Sequence, residues 1–112
     1  MRDNFTFEPM DFLVLGDHHG EGFSQKRWTN VVIPQARRFL RLANVRQVRV
    51  SYTPQAREYC FDMKLWLDRT LQVVLRGDEY CVRKGDTEAF HTPDPRAIAQ
   101  QIQRLRLRGQ YA

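Results

Sequence analysis

The stretch YCFDMKLWLDRTLQVVLRGDEYCVRK, residues 59–84, decides the fold. In its first nine residues Tyr59, Phe61, Met63, Leu65 and Leu67 alternate with Cys60, Asp62, Lys64 and Trp66. A period of two places one set on each face of a strand. Asp68-Arg69 can close a tight turn into TLQVVLR, and Gly77-Asp78 another into EYCVRK. Upstream, Val48, Val50 and Tyr52 alternate with Gln47, Arg49 and Ser51 until Pro54 stops the run. Four sequential strands follow, most simply an antiparallel meander, and Gly85-Asp86 ends it.

Helical periodicity flanks the meander on both sides. In VVIPQARRFLRLA, Val32, Ala36, Phe39, Leu40 and Ala43 recur at the spacing of one helix face. Pro34 is tolerated in a first turn, so the sequence predicts a start between Asn30 and Pro34. Arg37, Arg38 and Arg41 lie off the apolar stripe. Near the C-terminus, Asp94 reads as an N-cap and Pro95 as the first helical residue, with Ile98, Ile102 and Leu105 on the buried face. The opening FTFEPMDFLVLG reads as one or two short strands broken by Pro9. The expected fold is α+β: a four-stranded antiparallel meander, two helices packed on one of its faces, and an extra N-terminal strand-like segment.

The 112 residues, 42% of them apolar, suit a single domain spanning 1–112. No apolar run approaches the roughly 20 residues that span a bilayer, so no membrane partner is expected. Acidic residues interrupt the apolar N-terminus, and no cleavage site is evident there. The expected compartment is therefore the cytoplasm. Cys60 and Cys81 form no CxxC pair and no disulfide framework, and they read as free thiols.

Charge is unevenly distributed. The formal net charge is +5, and 15 of the 18 basic residues are arginine. No acid occurs from Gly22 to Arg57, where Lys26, Arg27, Arg37, Arg38, Arg41, Arg46, Arg49 and Arg57 fall. None occurs from Pro95 onward, where Arg96, Arg104, Arg106 and Arg108 fall. Arginine's planar fork grips phosphate or carboxylate in a bidentate way. The outward face of the meander is expected to carry Arg49, Lys64, Trp66, Arg76 and Arg83 beside Gln47, Ser51, Asp62 and Gln72. An aromatic ring among cations on an open sheet suits stacked bases and paired phosphates. The competing expectation is that Phe5, Phe7, Phe12, Leu13 and Val14 cover Trp66.

Candidate chemistry is sparse. GDHHGEGF, residues 16–23, holds adjacent imidazoles, which diverge on any extended or helical backbone, and the flanking glycines provide no rigid base. A polar loop is the expectation. Asp62-Met63-Lys64 matches the acid-x-lysine element of some metal-dependent nucleases, a weak match on its own. GxSxG and phosphate-loop patterns are absent from the sequence. The order helix, antiparallel strands, helix broadly resembles that of double-stranded-RNA-binding domains. The glycine-and-lysine motif opening that family's second helix has no counterpart, KGDTEAFHTPDPR standing there instead, so no residue is carried over.

The expected function is a small basic protein binding DNA or RNA. Its contact residues would be Lys26, Arg27, Arg37, Arg38, Arg41, Arg49, Lys64, Trp66, Arg76, Arg83, Arg104 and Arg108. The alternative is an adaptor, chaperone or inhibitor docking an acidic or apolar protein surface. A metal-dependent enzyme comes third. No cofactor and no metal ligand are assigned from sequence.

Overall fold

The computed structural model describes residues 12–107. Its fold is α+β: one six-stranded sheet in the order β1-β2-β3-β4-β5-β6, with two helices. The strands are β1 (Leu13–Leu15), β2 (Val45–Thr53), β3 (Glu58–Leu65), β4 (Thr70–Arg76), β5 (Glu79–Lys84) and β6 (Thr87–Thr92). From β2 to β6 every neighbour is antiparallel. β1 runs parallel to β2. A parallel pair needs a long crossover, and the first helix lies within it. The meander is thus one strand longer than expected, and the N-terminal segment contributes a true edge strand. Phe5 and Phe7 lie outside the described residues, as do Arg108 and the side chain of Leu105.

The first helix runs continuously over residues 25–40 and begins earlier than Pro34 predicts. Ser24 caps it, its hydroxyl accepting the Arg27 N–H at 3.1 Å. Proline inside an α-helix lacks a donor and its ring crowds the carbonyl four residues back. Here that conflict falls where Trp28–Val32 form a π-helical turn, in which the Ile33 N–H reaches the Trp28 carbonyl. The wider turn accommodates Pro34 and keeps Trp28 and Val32 in register with Ala36 and Phe39. All four are buried, whereas Ala43 lies beyond the helix end and is exposed.

The second helix (Pro95–Leu107) starts as expected, with Asp94 accepting the Arg96 N–H at 2.9 Å. Ile98 and Ile102 bury completely in the same cluster as the first helix's stripe, so both helices cover one sheet face. At its centre Phe39 meets Phe61 edge-on, 5.3 Å between ring centroids. Asn44, buried, ties the helices together by donating to the Ile102 carbonyl at 3.1 Å. No helix among the described residues is long and apolar enough to cross a membrane.

The turn after β3 departs from expectation. β3 ends at Leu65, and Trp66–Asp68 form a 3₁₀ turn in place of a tight Asp68-Arg69 corner. The Trp66 N–H and its indole Nε1 bond the carbonyls of Asn44 and Ala43, at 3.2 and 3.1 Å, pulling the chain out of the strand. Leu67 consequently adopts φ 67°, and its side chain is 79% exposed. A left-handed backbone costs a non-glycine residue roughly 1–2 kcal/mol. Leu67→Gly should therefore not destabilise the fold, and should raise its stability by up to about 1 kcal/mol once the added freedom of the unfolded chain is offset. Thermal unfolding checks this; a clear fall in Tm would mean that Leu67 packs in the folded state.

Candidate functional site

The sheet face opposite the helices carries Gln47, Arg49, Ser51, Asp62, Lys64, Gln72, Arg76 and Arg83, as the alternation predicts. It is not a free cationic platform. Glu58, with only 4% of its side chain exposed, accepts from Arg76 at 2.6 and 3.0 Å and pairs with Arg83 at 3.1 Å. Arg76 also grips Glu88 at 2.6 Å, and Arg83 stands 3.6 Å from it. The chain of contacts continues through Gln72, which accepts from Arg83 Nε at 2.7 Å and donates to Asp62 at 2.7 Å. Asp62 is thereby engaged by an amide, which weakens its reading as half of a nuclease DxK element.

On the same face, between the rows that carry Arg76 and Arg83, Cys60, Val74 and Cys81 form a second buried cluster. Burial pushes both thiols above their ordinary range, so neither has the lowered pKa of a reactive cysteine. The hydrogen bonds that Arg76 donates to the Glu88 and Glu58 carboxylates hold it firmly protonated. For Arg83 burial opposes the charge, and the pull of Glu58, with smaller help from Glu88, outweighs it. The Glu88 carboxyl is lowered in turn, chiefly by its bond to Arg76.

Trp66 belongs neither to this face nor to a covered core. It sits on the 3₁₀ turn at one end of the sheet, 56% exposed, with the Arg46 guanidinium 4.9 Å from its ring centroid. Both expectations for Trp66 are corrected for one reason: β3 stops one residue short of it.

The GDHHGEGF loop is pinned over an aromatic floor. Gly16 N–H and Tyr52 N–H exchange bonds with the Val50 and Asp17 carbonyls, at 2.7 Å each, extending β1 alongside β2. His18 stacks flat on Trp28, with 4.4 Å between centroids and 7° between planes, and its Nδ1 lies 2.6 Å from the Gly16 carbonyl. The Tyr52 hydroxyl donates to the Glu21 carbonyl at 2.8 Å. A Cβ on Gly22 would fall 2.5 Å from that hydroxyl, and its φ of 85° favours glycine independently. The loop is a structural strap, and His18 is more than the loop side chain that sequence reading made it.

The remaining cations gather on the helix side. Lys26, Arg37, Arg38 and Arg41 are all exposed. Arg38 reaches Gln35 at 3.5 Å, and none of the four pairs with a described carboxylate. The Asn44–Ile102 bond brings the turn that carries Arg104, also exposed, to the end of the first helix that carries Arg41. Beside the other end lies a groove of about 920 Å³, lined by Lys26, Arg27, Arg57 and Arg76 together with Tyr52, Tyr59 and Tyr80. Arg27 bridges to the carbonyl of Gly77 and to Asp78. Arg57 holds Glu21 at 3.0 Å. On the sheet, Arg49 and Lys64 are exposed beyond the ion network.

Sequence reading missed Glu58 and Glu88, the acids that neutralise the sheet arginines. The signal was present: Glu58 stands directly opposite Arg76, and Glu88 opposite Arg83. A two-residue turn at Gly85-Asp86 yields the Arg83–Glu88 pair, whereas the Glu58–Arg76 pair depends on the 3₁₀ turn between β3 and β4, which a tight Asp68-Arg69 corner would shift out of register.

No protein-family description, curated protein or solved structure matches this chain.

Removing the Glu58 charge should be costly. Glu58→Gln leaves two guanidiniums over a buried neutral amide and should cost about 3 kcal/mol, the low end for a broken buried pair because both arginines are partly solvated. A urea melt that shifts by less than a third of this would remove Glu58 from its central place. Glu88 predicts a pH effect of definite sign. Its folded carboxyl titrates below the ordinary 4.5, so its ion pairs stabilise above that pH and are lost as pH falls through the lowered value. Below pH 4.5 the Tm of Glu88→Gln should fall less steeply than that of the wild type; parallel curves would contradict the assignment.

Proposed function

We propose that this protein binds nucleic acid through the arginine face of its first helix. One observation carries the reading: Arg76 and Arg83 on the sheet are neutralised by Glu58 and Glu88, while Lys26, Arg37, Arg38 and Arg41 have no described carboxylate partner. From Lys26 to Arg41 the helix is about 20 Å long, matching about six nucleotide steps along one strand. Contacts of this kind read backbone charge and position a protein without selecting sequence. The groove beside Lys26 and Arg27 adds Arg57 at the end of that row, while its three tyrosines are buried in the core. Arg49 and Lys64 on the sheet, and Arg104 on the second helix, are secondary contacts in this reading, and Arg76 and Arg83 serve structure.

A second reading, a protein-interaction module, draws on Trp66 and Leu67. Two large apolar side chains on a strained, exposed turn are a docking feature for an apolar partner surface.

Salt dependence separates the two. Fluorescence anisotropy with labelled single-stranded RNA, duplex RNA and duplex DNA should show log K falling linearly with log salt. Replacing Arg37, Arg38 and Arg41 with glutamine should reduce the magnitude of the duplex slope by about 2.7, and reversal to glutamate should abolish binding. The exposed changes should each alter stability by no more than about 0.5 kcal/mol. A folded triple variant that binds like the wild type would overturn the proposal. Loss of partner binding on Trp66→Ala, without any polyanion affinity in the wild type, would favour the second reading.

A further inference from the structure

We propose that Cys81, Glu88 and His91 form a binding site for a divalent transition metal of the zinc class. It lies on the sheet face away from the helices, apart from the first-helix arginine surface. Residues 88 and 91 are three apart, and on a regular strand they would point to opposite faces. β6 is not regular. Tyr80 pairs with Thr92 but Val82 pairs with Ala89, so Phe90 and His91 together stand opposite Cys81. Phe90 absorbs the extra residue at φ 56°. A bulky side chain in that region is strained, and bulges of this kind re-aim side chains. Here the bulge turns His91 to the face that already carries Glu88 and Cys81.

Ligand atoms of the three residues lie within 4.8 Å of one another. A tetrahedral ion about 2.0–2.3 Å from each ligand needs pairs roughly 3.3–3.7 Å apart. A rotamer movement of about 1 Å closes the site, and His91, the most exposed of the three, has room to make it. Its Nδ1 lies 3.2 Å from the Glu79 carboxylate, the outer-shell partner that orients metal-binding imidazoles. Donation there leaves Nε2 free to ligate.

The charge is suitable as well. Glu58, Glu79 and Glu88 set against Arg76 and Arg83 leave one negative charge, and a Cys81 thiolate makes two. Burial disfavours that thiolate in the metal-free protein, and a bound dication reverses the preference by direct coordination. Thiolate and imidazole together select borderline ions such as zinc over magnesium or calcium. Three protein ligands leave a fourth position open to water or an exogenous ligand.

The test uses the tag-free full chain, stripped with chelator, kept reduced and titrated with Co²⁺. One equivalent should produce thiolate-to-cobalt charge-transfer absorption with intense tetrahedral visible bands, displaced by Zn²⁺. Cys81→Ser and His91→Ala should lose the charge-transfer band or weaken binding at least about 10-fold, while Cys60→Ser should retain both. The His91 change is at an exposed position, so loss of fold does not obscure it; circular dichroism verifies this. Absence of the bands in the wild type would overturn the site. So would unchanged bands with undiminished affinity in His91→Ala, or their dependence on Cys60 in place of Cys81.

Discussion

A sheet covered by helices on one face has to seal the other face by its own means. In this protein the buried carboxylate of Glu58 does so. It holds the Arg76 and Arg83 guanidiniums, which stand in the cross-strand rows on either side of the buried Cys60, Val74 and Cys81. Glu88 continues the arrangement onto the edge strand and Gln72 carries it to Asp62, so one connected network crosses β3 to β6. Such networks are stable when every member is satisfied, as each of these is.

This constraint divides the arginines into two populations. Arg76 and Arg83 on the sheet are fixed by carboxylates and serve the fold. Arg37, Arg38 and Arg41 on the first helix have no described carboxylate partner, and their charge remains available. A basic total says little about where a polyanion would sit, because charge already paired within the fold is screened at close range. The distinction moves the candidate interface from the sheet to the helix. It also explains how an arginine-rich sheet face can coexist with a cluster of Cys, Glu and His side chains: the carboxylates that hold the arginines also lower the local potential.

Irregular backbone marks the places where the chain does more than pack. The π-turn at Trp28–Val32 reconciles Pro34 with an uninterrupted buried stripe. The left-handed Leu67 follows from the two bonds that Trp66 makes to the 43–44 corner. The bulge at Phe90 has no such packing explanation, since Phe90 is itself 39% exposed. Its consequence is the placement of His91.

The residue sequence by itself determined the strands β2 to β5, the burial of Val32, Ala36 and Phe39 on the first helix and of Ile98 and Ile102 on the second, and the Asp94 cap. Alternation and helical periodicity are local signals, and burial follows them directly. The edge strand β6 was not legible, because an exposed strand with a bulge has no clean alternation. Trp66 was misplaced for a related reason: its hydrogen bonds go to Ala43 and Asn44, over twenty residues away in the chain, and no local pattern encodes them. The apolar stripe of the first helix set Arg37, Arg38 and Arg41 off its buried face, and they are exposed. Which arginines are neutralised was decided only by cross-strand register, which sets Glu58 against Arg76 and Glu88 against Arg83. The Cys81–Glu88–His91 grouping is likewise a tertiary fact, since a spacing of three on a strand separates two side chains until a bulge brings them together.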